Sequence, residues 1–284
     1  MKVAIVIPIH NEATHVEKML DSLFGQSLNP TEVIIVDDHS TDQSHPIITK
    51  LIQNHSNVKC VISNANDGSH LPGPKVVNAF YQGLKALESD YDVICKFDGD
   101  IVLPQNYLER IAQLFTSDSE IGMAGGLLFI QKDSKWVYET IASKHHLRGP
   151  IKAYRKACFD DIQGIKPVLG WDTIDVLQAQ FRGWKVMIDP SLEVKHLKPT
   201  GTTYDGDSRF NLGQALYNMR TGWLLATLSA AKLTIVRKKP KLFFNSLWGY
   251  FKAYRAKQPP ILSKKEGQFV KKFRWKKLLS RLFC

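Results

Sequence analysis

Four short apolar runs govern what this chain can fold into: residues 3–9, 32–36, 58–62 and 92–97. Runs of this length, with few polar interruptions, suit parallel strands covered on both faces. The stretches between them have helical spacing. Val16, Met19, Leu20, Leu23 and Phe24 share one face, as do Ile47, Ile48, Leu51 and Ile52. A third helix is expected over 76–87 and a fourth after Pro104, with Leu108, Ile111, Ala112 and Phe115 inward. Asn11 is expected to cap the first helix, and Pro46 suits the first turn of the second. Residues 64–74 form a loop rich in Gly, Asn and Pro. This βαβ succession predicts a doubly wound α/β sheet whose ligand lies at the carboxyl ends of the strands.

Beyond residue 121 the pattern is mixed. Strands are expected at 122–130, 136–140, 185–188 and 192–196, with a helix at 173–182 and an irregular region before it. Residues 211–284 read as two or three amphipathic helices. The resulting division is a domain over 1–205, with halves of about 1–100 and 101–205, and a basic helical region over 206–284.

Two strand ends carry acidic clusters. Asp98-Gly99-Asp100 follows VICKF, and two carboxylates one residue apart can share a hard cation such as Mg²⁺ or Mn²⁺. A solvated turn is the blander reading of such a triplet standing alone; its place at a sheet edge favours the metal. Asp37-Asp38-His39-Ser40-Thr41-Asp42 follows VIIV. Short polar residues there can bind a base or ribose, and Ser40 or Thr41 can also cap the next helix.

Together with Pro8-Ile9-His10-Asn11-Glu12, these segments resemble glycosyltransferase family 2. The matching segments are IVIPIHNE, VIIVDDHSTD, GPKVVNA, KFDGD, GWDTIDVLQAQFRGWKV and HLKPTG, in order over residues 1–201. The resemblance implies a GT-A fold, a Rossmann-like mixed sheet flanked by helices. It also implies inverting transfer from a nucleotide sugar, a UDP- or dTDP-sugar. On the same basis Pro8, Asn11 and Glu12 lie beside the nucleoside. Asp38 reads the base edge with Asp37 in support, and Lys75 and Asn78 approach the nucleotide. Asp98 lies on the ribose and metal side, Asp100 is a direct metal ligand, and His196 completes the metal shell.

Asp172 falls where the family places its catalytic base, although Trp171 stands where a glutamate is usual. Trp171 suits either stacking on a sugar or packing in the wall. Asp175, one helical turn on, is a rival base. His10 is expected to be structural, and His145-His146 a surface or loop pair. Cys60, Cys95, Cys158 and Cys284 lack metal or redox spacing and read as buried thiols.

Charge separates the tail from the rest. Residues 208–284 hold 18 Lys and Arg and one acidic residue, Glu266, whereas 1–207 hold 20 basic and 26 acidic residues. Aromatic and aliphatic residues interleaved with Lys and Arg suit helices lying on an anionic membrane surface. Nucleic acid is the weaker alternative, because no binding module is visible. The longest apolar stretch, 221–236, is interrupted by Lys232, so a spanning helix is not expected. The first apolar run reads as a strand rather than a signal peptide. The expected setting is the cytoplasmic face of the inner membrane, peripheral or monotopic, with a glycan or lipid-linked acceptor. A nucleotidyltransferase and a non-catalytic nucleotide-sugar-binding adaptor are the rival readings.

Overall fold

A computed structural model describes residues 1–64, 73–141, 143–199 and 210–280. The proposed boundary at 205/206, the end of HLKPTG, most of the loop over 64–74 and Cys284 lie outside the described residues.

Among the described residues one sheet of nine strands organises the molecule, in the order β3-β2-β1-β4-β8-β6-β9-β5, with β7 paired to β6. The strands β1 (Val3–Ile9), β2 (Glu32–Asp37), β3 (Val58–Ile62) and β4 (Val93–Phe97) are mutually parallel. Every residue of β1, β2 and β4 is buried. Alternate side chains enter opposite layers, as the pleat requires. Val3, Ile5, Ile7 and Ile9 pack with α1 (Val16–Phe24), α2 (Ser44–Leu51) and α4 (Tyr107–Ser117), while Ala4 and Val6 pack with α3 (Pro74–Lys85). Each fully buried aliphatic side chain contributes about 1.5–3 kcal/mol, so both faces are held strongly.

The second half joins antiparallel and parallel strands to this sheet. β8 (Ile151–Arg155) runs antiparallel to β4 and β6 (Ile121–Lys132); β9 (Lys185–His196) runs parallel to β6. The carboxyl ends of β1, β2, β4, β6 and β9 therefore share one edge with the amino end of β8. The short strand β5 (Ile101–Val102) pairs antiparallel with the end of β9. β7 (Lys135–Tyr138) closes a hairpin on β6.

Several expectations change. The region read as irregular contains β8 and α5 (Lys156–Asp161). The two strands expected at 185–188 and 192–196 are one strand with a register irregularity opposite Gly125/Leu127. Gly126 permits this, since a Cβ there would run into the Leu192 carbonyl. Pro190 sits at the irregularity, and Asp189 accepts hydrogen bonds from the Ser191 amide and hydroxyl. Asn11 does not cap α1, whose N-cap is His15; it adopts a left-handed backbone with φ 55°. Neither Ser40 nor Thr41 caps α2; Asp42 accepts from the Ser44 amide at 2.9 Å instead.

The helix predicted at 173–182 is α6 (Trp171–Phe181). The tail forms four helices among the described residues: α7 (Asn211–Asn218), α8 (Trp223–Arg237), α9 (Lys241–Arg255) and α10 (Lys264–Leu279). Ile174 and Leu177 of α6 cluster with Ala215, Met219, Leu262 and Val270 of this region. A reciprocal Ser263–Glu266 capping box starts α10. No helix among the described residues is long and apolar enough to cross a membrane. Cys60 is half-buried, and Cys95 and Cys158 are buried; all three are free thiols. Burial pushes the Cys60 thiol up to about 11.

Candidate active site

The ends of β1 and β2 form the first wall of a polar edge. Pro8 pairs with Val36 near the end of β1. Asn11 Oδ1 accepts from the Thr41 amide at 2.7 Å, and the Asn11 amide donates to Ser40 Oγ at 3.0 Å. These bonds lock the two strand-end loops together, so Asn11 shapes this wall. His10 Nδ1 lies 2.7 Å from the Asp38 carbonyl, consistent with its structural reading. Asp37 accepts from the Ser40 amide and lies 3.1 Å from His45 Nδ1. Asp38 is buried, with Oδ2 3.2 Å from Lys75 Nζ. Lys75 belongs to the first turn of α3, and half-buried Asn78 follows three residues later.

The Asp98-Gly99-Asp100 turn packs directly on this wall. A Cβ on Gly99 would lie 3.0 Å from Ile9 and 3.4 Å from the Glu12 side chain, so a larger residue would separate the two motifs. Glu12 bonds Lys198 Nζ at 2.6 Å, beyond the end of β9, and His15 at 3.0 Å. Asp98 is ion-paired with Lys96. Asp100 faces His196, with Oδ2 3.6 Å from Nε2, and His196 Nδ1 lies 3.2 Å from Glu139. Arg148 pairs with the same Glu139 carboxylate at 3.2 Å.

Electrostatics separates the carboxylates. Burial raises the Asp100 pKa to about 6, and the Asp98 and Glu12 charges add to the shift, against His196 and Lys198. Burial pulls the His196 pKa down, but the Glu139 bond and the Asp100 charge outweigh it and the value rises. Burial would also raise Asp172. His146, Lys152 and Arg148 overcome that and hold it at about 2. Asp172 is therefore ionised throughout the neutral range.

Carboxylate and imidazole donors fit Mg²⁺ or Mn²⁺. The structure brings Asp100 and His196 together but gives Asp98 to Lys96. Among the described residues no three His, Cys, Asp or Glu side chains form a ready-made metal cluster. Asp100 and His196 would be two donors for such a cation.

Trp171 and Asp172 open α6 and form the other wall. Gly170 precedes them in a left-handed conformation, φ 78°. Lys96 and Lys152 face each other across β4 and β8. Their ammonium groups stand 5.1 and 5.3 Å from the Trp171 ring centre. Trp171 is thus buried wall, held by two cation–π contacts. Lys152 also donates to both Asp175 oxygens at 2.7 Å and to the Asp172 carbonyl at 2.6 Å. Tyr154 donates to Asp175 at 2.6 Å. The rival base Asp175 is consequently a buried structural anion, whereas Asp172 is partly open, with His146 Nε2 4.0 Å away.

Asp175→Asn is expected to cost about 3–5 kcal/mol of stability, because it leaves the Lys152 ammonium buried without its counter-charge. Urea unfolding measures this; an unchanged midpoint would contradict the ion-pair assignment.

The network includes residues that sequence reasoning missed: Lys96, Lys152, Glu139, Arg148 and His146. A lysine inside each of two strands, VICKF and IKAYR, was the visible signal. His146 was read only as a surface or loop residue, since its neighbour in space lies 26 residues on.

The family model of Glycosyl transferase family 2 matches residues 4–166, more than half of the chain. The chain belongs to glycosyl transferase family 2. This membership covers the strands bearing Asp38, Asp98 and Asp100 and stops before α6. A Nostoc sp. protein described as an uncharacterized glycosyltransferase is 28% identical over 137 residues, 48% of this chain and 40% of that protein. The family 2 chain thus spans less than half of that relative. Staphylococcus aureus TarS 1-349 in complex with UDP-GlcNAc superposes with a TM-score of 0.56 at 17% identity, covering 95% of this chain and 78% of that one. A Pyrobaculum calidifontis mannosyltransferase in complex with GDP-Man and Mn²⁺ gives 0.59 at 15% identity, covering 95% and 83%. The GT-A fold expected of a family 2 chain is the fold observed.

Proposed function

We propose that this family 2 chain is an inverting glycosyltransferase. It moves a sugar from a UDP- or dTDP-sugar to a hydroxyl of a glycan or lipid-linked acceptor at the cytoplasmic face of the membrane. One observation carries the reading: a contiguous edge from Asp38–Lys75, through Asp98, Asp100 and His196, to Trp171 and Asp172. The UDP-GlcNAc and the GDP-Man with Mn²⁺ bound by the two structural neighbours support a nucleotide-sugar donor and a divalent cation on this fold.

In this reading Asp38 accepts from the nucleobase edge, with Asp37 behind it. Pro8, Asn11 and Glu12 shape the nucleoside wall, and Lys75 and Asn78 approach from α3. Asp100 and His196 hold Mg²⁺ or Mn²⁺, with Asp98 on the ribose and metal side. A bound cation of this kind supplies charge neutralisation for the departing diphosphate. Asp172 takes the acceptor proton as its oxygen attacks the anomeric carbon. Attack opposite the leaving group inverts that centre.

A donor panel of UDP-, dTDP- and GDP-sugars with Mn²⁺ tests the reading. UDP or dTDP release with an inverted anomeric product is expected; no turnover of any donor counts against it, and GDP-sugar use alone overturns the reading of a uracil or thymine nucleotide at Asp38. The raised Asp100 and His196 pKa values give a second test, since protons compete with the metal. Mn²⁺ affinity is expected to fall as pH drops, approaching about a hundredfold per pH unit below about 6, where both ligands take up protons. Calorimetric titration at several pH values reads this directly, and a flat profile would remove Asp100 from the ligand set.

A further inference from the structure

We propose that α8 and α9 form a hairpin that docks the protein on an anionic lipid surface without crossing it. Leu224, Leu228 and Ile235 of α8 are exposed at i, i+4 and i+11; Phe244, Trp248 and Phe251 of α9 are exposed at i, i+4 and i+7. Such spacing places each set on one helix face. Phe244 is 71% exposed and Trp248 65%, exposures that burial in a core would not leave. The two helices pack together, and only residues 238–240 separate them. Opposite the exposed stripes, Ala226 and Tyr250 cluster with Leu216 of α7, so each helix is two-faced rather than loosely attached.

Charge identifies the occupant. Residues 223–257 contain eight Lys and Arg and no Asp or Glu. Lys238, Lys239 and Lys241 gather at the turn, and Lys252 and Arg255 follow on α9. Aromatic rings rimmed by cations match the interface of a bilayer bearing acidic headgroups. A second copy of the chain would bring the same positive charge and repel. Length excludes spanning: 15 residues of α8 reach about 22 Å, against about 30 Å of hydrocarbon.

The placement bears on the reaction proposed above, though the lipid contact does not depend on it. α7 and α10 pack on α6, whose first turn carries Asp172. α8 and α9 pack on α7 in turn, which joins the docked helices to the element that carries Asp172.

Flotation of the full chain with vesicles tests the proposal. Binding to phosphatidylglycerol–phosphatidylcholine vesicles is expected, with little on phosphatidylcholine alone and loss at high salt. Replacing Lys238, Lys239 and Lys241 with Gln should weaken binding by about a hundredfold. Phe244→Ser with Trp248→Ser should weaken it at least about tenfold. Asp100→Asn should bind vesicles as the parent does, so a failed active-site reading leaves this test standing. Circular dichroism checks that every variant folds. Equal binding to both vesicle types, parental binding by both surface variants, or no binding at low salt would overturn the proposal. So would a dimer dispersed by the aromatic substitutions, which would make the stripe a self-interface.

Discussion

Asp172→Asn is expected to lower kcat by about 10²–10⁴-fold, the usual contribution of a positioned general base. Asparagine keeps the shape and can still meet His146, but it cannot take the acceptor proton. The fold should survive with a modest loss of stability at neutral pH, because the cations that depress the Asp172 pKa lose their partner charge while Lys152 keeps the Asp172 main-chain carbonyl. Donor KM should stay near the parental value, since Asp172 faces His146 whereas Asp38 is paired with Lys75. This pattern differs from that of Asp175→Asn, three residues away, where stability falls first. A carboxylate held at about 2 also remains ionised to strongly acid pH. An acidic fall in activity near pH 6 should therefore follow the metal pair and move to lower pH as Mn²⁺ is raised. Steady-state kinetics with urea unfolding separates these outcomes; parental kcat in Asp172→Asn would remove it as the base.

Asp100→Asn carries the second large effect and moves activity and stability in opposite directions. Loss of one anionic ligand is expected to reduce turnover by about 10³-fold, equivalent to several kcal/mol of transition-state stabilisation. Yet the metal-free protein should become more stable at neutral pH. The folded Asp100 pKa of about 6 lies above the ordinary carboxylate value, so its ionisation costs stability as pH rises through about 4 to 6. Asparagine removes that cost, on the order of 3 kcal/mol. Unfolding in chelator should show the gain, and excess Mn²⁺ should narrow it by stabilising the parent. A destabilised Asp100→Asn would mean that the carboxylate serves the fold instead.

The first half of the sheet was legible because strands covered on both faces must be apolar throughout, as β1, β2 and β4 are. The acidic strand ends were legible for the complementary reason that carboxylates terminate those runs abruptly. β8 was not, because Lys152 interrupts an otherwise short apolar run and its counter-ion Asp175 lies 23 residues on. β9 was divided by Pro190, whose position only the Gly126–Leu192 approach explains. Asn11 looked like a helix cap, but its side chain is taken by the Thr41 amide from the adjoining strand end. Trp171 had two open readings until the paired lysines beneath it came into view. In the tail, helical periodicity marked the faces but not the breaks, and four helices stand where two or three were expected.

Asp38, Asp100 and His196, distant in sequence, are proposed to serve one nucleoside-diphosphate and cation site, and calorimetric titration of UDP into the protein with and without Mn²⁺ probes that site. Binding that requires or is strongly strengthened by Mn²⁺, weakened by Asp38→Ala and stripped of its metal dependence by Asp100→Asn, is the predicted result. UDP binding indifferent to Mn²⁺ and to both substitutions would contradict it.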